Sequence, residues 1–234
     1  MARPWIVIDS VATRDGRLEL RRRGDRDFLI TLDGLVLMNS VANRSEMVLG
    51  QRGCSHLRDR RAARVLVGGL GMGCTLRAVL DTLPADAEVV VAELNPVMLE
   101  WCRGPLAELT AAAVEDPRVN VTIGDVADLV RSAGAAPSGK FEAIVFDLYR
   151  GPHFHTNPEH DPVYGSRAIA RVRQALKPGG VFAVWGETYD AGFVQRLQAG
   201  GFVVATERPG RGGLRHVVFL AQLPAPSPAA AGTG

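Results

Sequence analysis

A glycine-rich turn is the strongest chemical signal in the chain. Residues 68–73 read GGLGMG and directly follow the apolar run VLV at 65–67. Glycine lets a backbone turn sharply and lets a ligand approach more closely than a Cβ atom would permit, beside the partial positive charge of a helix N-terminus. A glycine loop that binds nothing is the alternative, because the motif alone is weakly specific. We expect ligand contacts along the loop from Gly69, Leu70, Gly71 and Gly73.

Three acidic residues, Glu93, Asp125 and Asp147, stand at or just after the ends of later apolar runs. The carboxyl ends of parallel strands meet at one edge of a sheet, where doubly wound folds bind ligands. An acid at the end of the second strand can accept hydrogen bonds from both ribose hydroxyls, so Glu93 predicts a nucleoside ligand. A solvated or helix-capping carboxylate is the alternative for each acid. Their neighbours Leu94 and Val126 are included among the predicted binding residues.

Asp147 is the predicted catalytic residue, because its carboxylate could accept a proton from an amine or hydroxyl nucleophile, or orient that nucleophile. The loop after it and the end of the next strand supply polar and aromatic side chains of the kind that line a substrate site. The predicted substrate contacts are Tyr149, Arg150, His153, Tyr164 and Trp185. A pair of histidines spaced as in His153 and His155, without a defined third ligand, is poor support for a metal, so we predict no metal site.

Two kinds of structural element must position these residues. Residues 5–38 alternate apolar and polar side chains in short runs separated by Asp-Gly and Gly-Asp dipeptides, which predicts an antiparallel meander of three or four strands. From residue 45 onward, continuously apolar runs alternate with helix-length segments, as in parallel strands covered on both faces. The predicted strands are 64–68, 88–93, 119–123, 142–147 and 181–185, and the predicted helices are 45–60, 74–83, 96–113, 126–133 and 163–176.

This element order predicts an α/β fold with a Rossmann-like, doubly wound, mostly parallel sheet and a small N-terminal antiparallel β-domain. The predicted domains are an N-terminal β-strand domain at 1–44, a catalytic domain at 45–223, and a low-complexity, disordered tail at 224–234. Strands near 202–206 and 215–221, on either side of a Gly/Arg-rich turn, predict a terminal hairpin.

The composition argues against several classes of protein. The 234 residues include 27 Lys+Arg and 25 Asp+Glu, a net charge of +2 that is too small for a chain built to grip nucleic acid. No segment approaches the roughly 18 apolar residues of a membrane span, and the N-terminus lacks the features of an export signal. We therefore predict a cytoplasmic protein without nucleic-acid or membrane partners. Three cysteines without CxxC spacing indicate neither a disulfide framework nor a zinc site.

Five motifs occur together in the order and spacing of a known family. The set GGLGMG, AELNP, GDVADL, IVFDLY and ALKPGGVFAV resembles the Rossmann-like class I S-adenosylmethionine-dependent transferases. The segments TLR after the glycine loop, EDPRV before the third strand and RSE at 44–46 resemble the spermidine synthase-like branch of that class.

The resemblance implies a role for each matching residue. It implies a loop at Gly69, Gly71 and Gly73 around the amino-acid or aminopropyl end of the cofactor. It also implies Glu93 on the ribose, Asp125 near the adenine amine and Asp147 at the reacting centre. A homodimer is the assembly that the resemblance implies.

Some positions depart from the spermidine synthase pattern. Spermidine synthases carry an acid inside the glycine loop that helps bind the amine of decarboxylated S-adenosylmethionine, and Met72 stands there. They carry a second acid three residues after the catalytic one, and Arg150 stands there. A glutamine typical of the N-terminal region is absent, with Asn39 or Ser40 near its place. A dicationic polyamine needs several carboxylates to offset the loss of its hydration, so these changes argue against polyamine synthesis.

From these losses we predict a methyltransferase that uses S-adenosylmethionine as its cofactor and acts on a small-molecule acceptor. The direct alternative is a spermidine synthase-like aminopropyltransferase of polyamine biosynthesis that uses decarboxylated S-adenosylmethionine. A catalytically silent, nucleoside-binding relative is a third hypothesis. The sequence does not identify the acceptor.

Overall fold

The structure is a computed structural model that describes residues 3–153, 155–210 and 216–225. Most of the tail that the sequence predicts to be disordered, 226–234, lies outside the described residues. So do Phe154 of the histidine-containing loop and residues 211–215 of the Gly/Arg-rich turn.

The N-terminal sheet is a four-stranded antiparallel meander. Its strands, in spatial and chain order, are β1 (Ile6–Thr13), β2 (Gly16–Arg23), β3 (Asp27–Leu32) and β4 (Leu35–Asn39). The Asp-Gly and Gly-Asp dipeptides lie at the turns, as the alternating pattern predicts. One face of the sheet is apolar, with Leu20 and Ile30 fully buried in the core of the larger sheet. The indole Nε1 of Trp101 also donates to Asp9 Oδ2 over 2.6 Å, which ties β1 to the rest of the molecule.

A seven-stranded sheet forms the centre of the molecule. Its strands are β5 (Arg64–Gly68), β6 (Glu88–Glu93), β7 (Val119–Ile123), β8 (Phe141–Phe146), β9 (Leu176–Gly186), β10 (Val203–Glu207) and β11 (Val217–Gln222). The spatial order is β10-β11-β9-β8-β5-β6-β7. Strands β5 to β9 pair in parallel, while β11 is antiparallel to both β9 and β10. After β5 the chain adds β6 and β7 on one side of this strand and then β8 and β9 on the other, and the carboxyl ends of β5, β6 and β8 meet at one edge.

Six α-helices flank this sheet in the described part of the chain. They are α1 (Arg44–Cys54), α2 (Cys74–Thr82), α3 (Pro96–Arg103), α4 (Val126–Gly134), α5 (Ser166–Ala175) and α6 (Ala191–Ala199). Helix α3 ends ten residues before the predicted end at 113, because Gly104-Pro105 follows it and the backbone then forms short 3-10 turns. Helix α6 was not predicted from the sequence. Asp190 caps it by accepting from Phe193 N over 3.0 Å.

The structure confirms the predicted fold class, an N-terminal antiparallel sheet joined to a mostly parallel, Rossmann-like α/β sheet. Two apolar clusters, one on each face of the central sheet, form the core, and the N-terminal sheet packs into the first of them. The domain boundaries at 44 and 223 stay predictions. In the described ranges, no helix combines the length and apolar character that a membrane span needs.

Candidate active site

The glycine loop connects β5 to α2 in a conformation that requires glycine. Gly69, Gly71 and Gly73 have φ angles of +86°, +52° and +81°, in the left-handed region that side chains disfavour. A Cβ atom on Gly69 would lie 2.3 Å from the carbonyl oxygen of Asp147, so the loop also depends on a close backbone approach to the end of β8. The turn ends where Gly73 N donates to Leu70 O over 2.8 Å, and α2 begins at Cys74.

Glu93 ends β6 and is bound to the glycine loop. Its side chain is only 7% exposed. One carboxylate oxygen accepts from Leu70 N over 2.9 Å and the other accepts from Asn95 N over 2.8 Å. Each carboxylate oxygen has a second lone pair, so Glu93 can still accept hydrogen bonds from a ligand. Burial and two backbone donors fix the direction of these remaining acceptors.

A large cleft of about 570 Å³ runs along the carboxyl ends of β5 and β6. This volume is within the usual range for a small-molecule site. The predicted binding residues that line it are Gly69, Gly71, Glu93, Leu94, Asp125, Val126 and Asp147. Asp125 is exposed and also caps α4, since its Oδ1 accepts from Ala127 N over 2.8 Å. The hairpin tip between β1 and β2 reaches the rim of this cleft through Thr13 and Asp15.

A smaller pocket, of about 60 Å³, shares the Asp147 side of the large cleft. Leu70, Met72 and Trp185 contribute to its wall. Glu46 and Asp147 are the acidic residues of the lining, and the lining contains no Arg, Lys or His. We call this the carboxylate pocket. A pocket with this charge favours a cation.

Asp147 lies where the two cavities meet. Its Oδ2 accepts a hydrogen bond from the Thr75 hydroxyl over 2.6 Å, and its backbone N donates to Gly68 O over 2.8 Å. Burial, and to a lesser extent the nearby Glu46 charge, raise the pKa of Asp147 from 3.8 to about 7, against the opposing effect of the Thr75 hydrogen bond. A carboxylate with a pKa near neutrality is well matched to accepting a proton from a nucleophile.

Glu46 is the site residue that the sequence analysis missed. The segment at 44–46 contributed only to the family resemblance, because no strand end or glycine turn adjoins it. In the structure, Glu46 lies in the first turn of α1 and lines the carboxylate pocket with Asp147. Its helix position is favourable for a negative charge, since the helix N-terminus carries a partial positive charge.

The predicted substrate residues lie in different places. Tyr149 lines both cavities, and Trp185 lines the carboxylate pocket. Arg150 lines the large cleft, with its guanidinium 5.6 Å from the centre of the Tyr149 ring. Tyr164 is 5% exposed in the core, where its hydroxyl donates to the carbonyl of Arg150 over 2.8 Å. His153 lines neither of these two cavities.

The structure also shows where the residues that depart from the spermidine synthase pattern lie. Met72 is 5% exposed and forms part of the pocket wall, and Asn39 also lines this pocket. The Ser40 hydroxyl instead accepts from Phe28 N over 2.8 Å within the N-terminal sheet. Burial raises the pKa of the Cys74 thiol to about 11, so this pocket residue is a poor nucleophile at neutral pH. Among the described residues, no three His, Cys, Asp or Glu side chains are grouped to hold a metal ion.

The strand order, the glycine turn and the acid at the end of β6 define the fold of class I S-adenosylmethionine-binding transferases. Spermidine synthase from Thermotoga maritima has this fold, with a TM-score of 0.72 and 22% identity over 92% of this chain and 72% of that one. A spermidine synthase in complex with the transition-state analogue AdoDATO also gives a TM-score of 0.72, at 21% identity over the same shares of each chain.

Sequence comparison identifies the family within this class. The family profile described as "Spermine/spermidine synthase domain" matches residues 42–191, more than half of the chain. The protein therefore belongs to the spermine/spermidine synthase family. The polyamine aminopropyltransferase of Mycobacterium tuberculosis (strain ATCC 25618 / H37Rv) is 35% identical over 123 residues, or 53% of this chain. The matched part spans about a fifth of that relative, 22% of its length.

These comparisons contradict the methyltransferase prediction. The family and the aminopropyltransferase relative favour the alternative, aminopropyl transfer, over methyl transfer. The structure supplies the physical reason for the error. The prediction counted the carboxylates missing at Met72 and Arg150, whereas α1 brings another carboxylate, Glu46, to the pocket from a different part of the chain. Arg150, whose charge seemed to exclude a diamine, does not line that pocket.

Proposed function

We propose that the protein is an aminopropyltransferase that moves the aminopropyl group of decarboxylated S-adenosylmethionine to an amine acceptor. The observation that carries this proposal is the carboxylate pocket, which is lined by Glu46 and Asp147 and meets the large cleft at Asp147. A cationic amine is the ligand that such a pair favours. Membership of the spermine/spermidine synthase family supports the same chemistry.

The large cleft fits the nucleoside part of the proposed substrate. The glycine loop lines this cleft through Gly69 and Gly71, which carry no side chain to keep a ligand away from the backbone. Glu93 would accept hydrogen bonds from the ribose hydroxyls, and Asp125 would lie near the adenine amine. Met72 places an apolar side chain, not a carboxylate, where the aminopropyl group would approach. The glycine loop would therefore supply no carboxylate to the amine of the donor.

The reaction needs a neutral amine nitrogen aligned with the aminopropyl carbon bonded to sulfur. As the new N–C bond forms, the S–C bond breaks and its electron pair stays on sulfur, which leaves a thioether nucleoside. The nitrogen then loses one proton. Asp147, with a pKa near 7, would accept that proton, while Glu46 would hold the acceptor by its charge. Thr75 would keep the reacting carboxylate in place through its 2.6 Å hydrogen bond.

The test is amine-dependent release of the thioether nucleoside from decarboxylated S-adenosylmethionine, measured by chromatography with a panel of alkyl diamines. We expect Asp147→Asn to lower turnover by roughly 10²- to 10⁴-fold while the nucleoside still binds. Asp128→Asn, which changes an exposed carboxylate on α4, is the matched control and should retain full activity. Wild-type protein that binds the nucleoside but releases no thioether with any amine would disprove the proposal.

The expectations of a homodimer and of a cytoplasmic location stay predictions. Light scattering coupled to size-exclusion chromatography tests the first of these directly, because a dimer has twice the 25.1 kDa mass of the chain. A monomer at all accessible concentrations would contradict it.

A further inference from the structure

Hydrogen bonds lead from Glu46 away from the carboxylate pocket. The Ser45 hydroxyl donates to Glu46 Oε2 over 2.6 Å and lies 2.9 Å from Nδ1 of His216. The indole Nε1 of Trp185 donates to the same hydroxyl oxygen over 3.2 Å. Ser45 is 3% exposed, and the rings of Trp185 and His216 meet edge to face with their centres 4.8 Å apart. Residues from α1, the end of β9 and the start of β11 thus converge on one buried hydroxyl.

The number of protons available determines which group donates in each hydrogen bond at Ser45. The Ser45 hydroxyl has one proton, and an ionised Glu46 carboxylate can only accept, so that proton belongs to the bond with Glu46. The serine oxygen has two lone pairs, which accept from Trp185 Nε1 and from His216 Nδ1. His216 must therefore carry a proton on Nδ1. In this arrangement every bond at Ser45 helps to keep its proton directed at the carboxylate.

We propose that Ser45 and His216 are positioning residues that hold the Glu46 carboxylate in place for the amine acceptor. The inference rests on the proposed function for the identity of the acceptor, but not for the hydrogen bonds. A glutamate side chain has several rotatable bonds, and an unrestrained one would spend part of its time outside the pocket. Catalysis by positioning is sensitive to such displacement. Neither residue touches the substrate in this account, since both act through Glu46.

Two pairs of variants separate positioning from general structure. Ser45→Ala removes the hydroxyl, and Ser45→Thr keeps it. His216→Leu removes the donor, and His216→Asn places an amide N–H close to the position of Nδ1. Thr31→Val is the control for loss of a buried hydroxyl elsewhere, because Thr31 is 2% exposed within the N-terminal sheet. Each variant is compared with wild-type protein in the same two measurements.

The first measurement is steady-state kinetics with 1,4-diaminobutane and saturating decarboxylated S-adenosylmethionine. We expect Ser45→Ala and His216→Leu to raise KM for the amine by roughly tenfold, as for loss of a hydrogen bond to a charged group, with a smaller change in KM for the nucleoside.

The second measurement is the pKa of Asp147, followed by carboxyl carbon NMR. This pKa should fall in the same two variants, because the Glu46 charge that raises it would no longer be held nearby. Ser45→Thr and His216→Asn should keep both the KM for the amine and the pKa of Asp147 close to their wild-type values.

Unchanged amine KM and unchanged Asp147 pKa in Ser45→Ala and His216→Leu would overturn the inference. Equal effects of Ser45→Ala and Ser45→Thr, and of His216→Leu and His216→Asn, would also overturn it, since they would indicate a role in packing and not in hydrogen bonding. If wild-type protein transfers nothing to any amine, the proposed function fails, and the NMR titration still decides whether Ser45 and His216 position Glu46.

Discussion

At the scale of single residues, the site depends on how burial and neighbouring charges alter Asp147. A carboxylate at a strand end is ordinarily ionised at neutral pH, with a pKa near 4. Here burial and the Glu46 charge raise the pKa to about 7, and the Thr75 hydrogen bond only partly opposes them. In the proposed function the two carboxylates would attract a cationic amine, and the same proximity makes Asp147 a competent proton acceptor. Arrival of the amine's positive charge would favour the ionised form of Asp147.

The raised pKa of Asp147 has a consequence for stability. Between pH 3.8 and about 7, the folded chain retains a proton that the unfolded chain has lost, so the free energy of unfolding falls as pH rises. Asp147→Asn removes the titrating group, and it should flatten this slope. The gain in stability above pH 7 is expected to be about 2 kcal/mol, less than the full shift would give because the side chain keeps some solvent contact. Urea unfolding across this pH interval measures it, and parallel curves for the two proteins would contradict the raised pKa.

Glu93 gives a second prediction at this scale. Removing its carboxylate leaves Leu70 N and Asn95 N without their acceptor. It would also remove the acceptor that we propose for the ribose hydroxyls, so Glu93→Ala should weaken nucleoside binding by about 1–3 kcal/mol. Calorimetric titration with the thioether nucleoside measures the loss. Glu88→Ala, at the exposed start of the same strand, is the matched control. Equal affinity in the wild type and Glu93→Ala would remove Glu93 from the binding site.

At the scale of elements, the turn from β5 to α2 and the end of β8 must approach each other closely. The Cβ atom in Gly69→Ala would lie 2.3 Å from the carbonyl oxygen of Asp147, at a φ of +86°. This variant should be destabilised by about 3 kcal/mol or more and should lose turnover, because the collision moves the segment that carries Asp147, the proposed catalytic residue. Gly34→Ala isolates the cost of the backbone angle, since Gly34 has a φ of +81° and open space around it.

The two glycine variants are compared by thermal unfolding and by turnover. We expect Gly34→Ala to lose only about 1–2 kcal/mol and to keep its activity. A Gly69→Ala protein that is no less stable than Gly34→Ala would show that the close approach is unimportant.

The packing of helix α1 places a residue in the site that the sequence patterns did not predict. Its close contact with α2 requires Gly50, where a Cβ atom would lie 2.7 Å from the carbonyl oxygen of Thr75. This packing brings Glu46 from the first turn of α1 beside the carboxylate pocket. Apolar periodicity can predict such a helix, but it does not reveal which distant carboxylates will share a pocket. The methyltransferase prediction was wrong for this reason, because it did not include the carboxylate of Glu46.

At the scale of the whole molecule, sequence patterns predicted the elements better than the pockets. Continuous apolar runs are determined by burial on both faces of a sheet, and β5 to β8 begin and end within a residue of their predicted limits. Element boundaries that depend on local breaks were less accurate, as with α3, which stops before Gly104, and α6, which was missed. Glu93 and Asp125 could be named in advance because strand ends in this topology share an edge. Their ligand roles stay proposals.

At this scale a cleft of about 570 Å³ adjoins a pocket lined by two carboxylates, and the proposed function assigns the nucleoside to the cleft and the amine to the pocket. The most direct measurement supplies decarboxylated S-adenosylmethionine and S-adenosylmethionine together, with a panel of diamines, and identifies the products by mass spectrometry. The account predicts an amine enlarged by an aminopropyl group, formed by the wild type and by Asp128→Asn, and nearly absent with Asp147→Asn. A methylated amine, or a wild-type protein that forms no product from either donor, would contradict it.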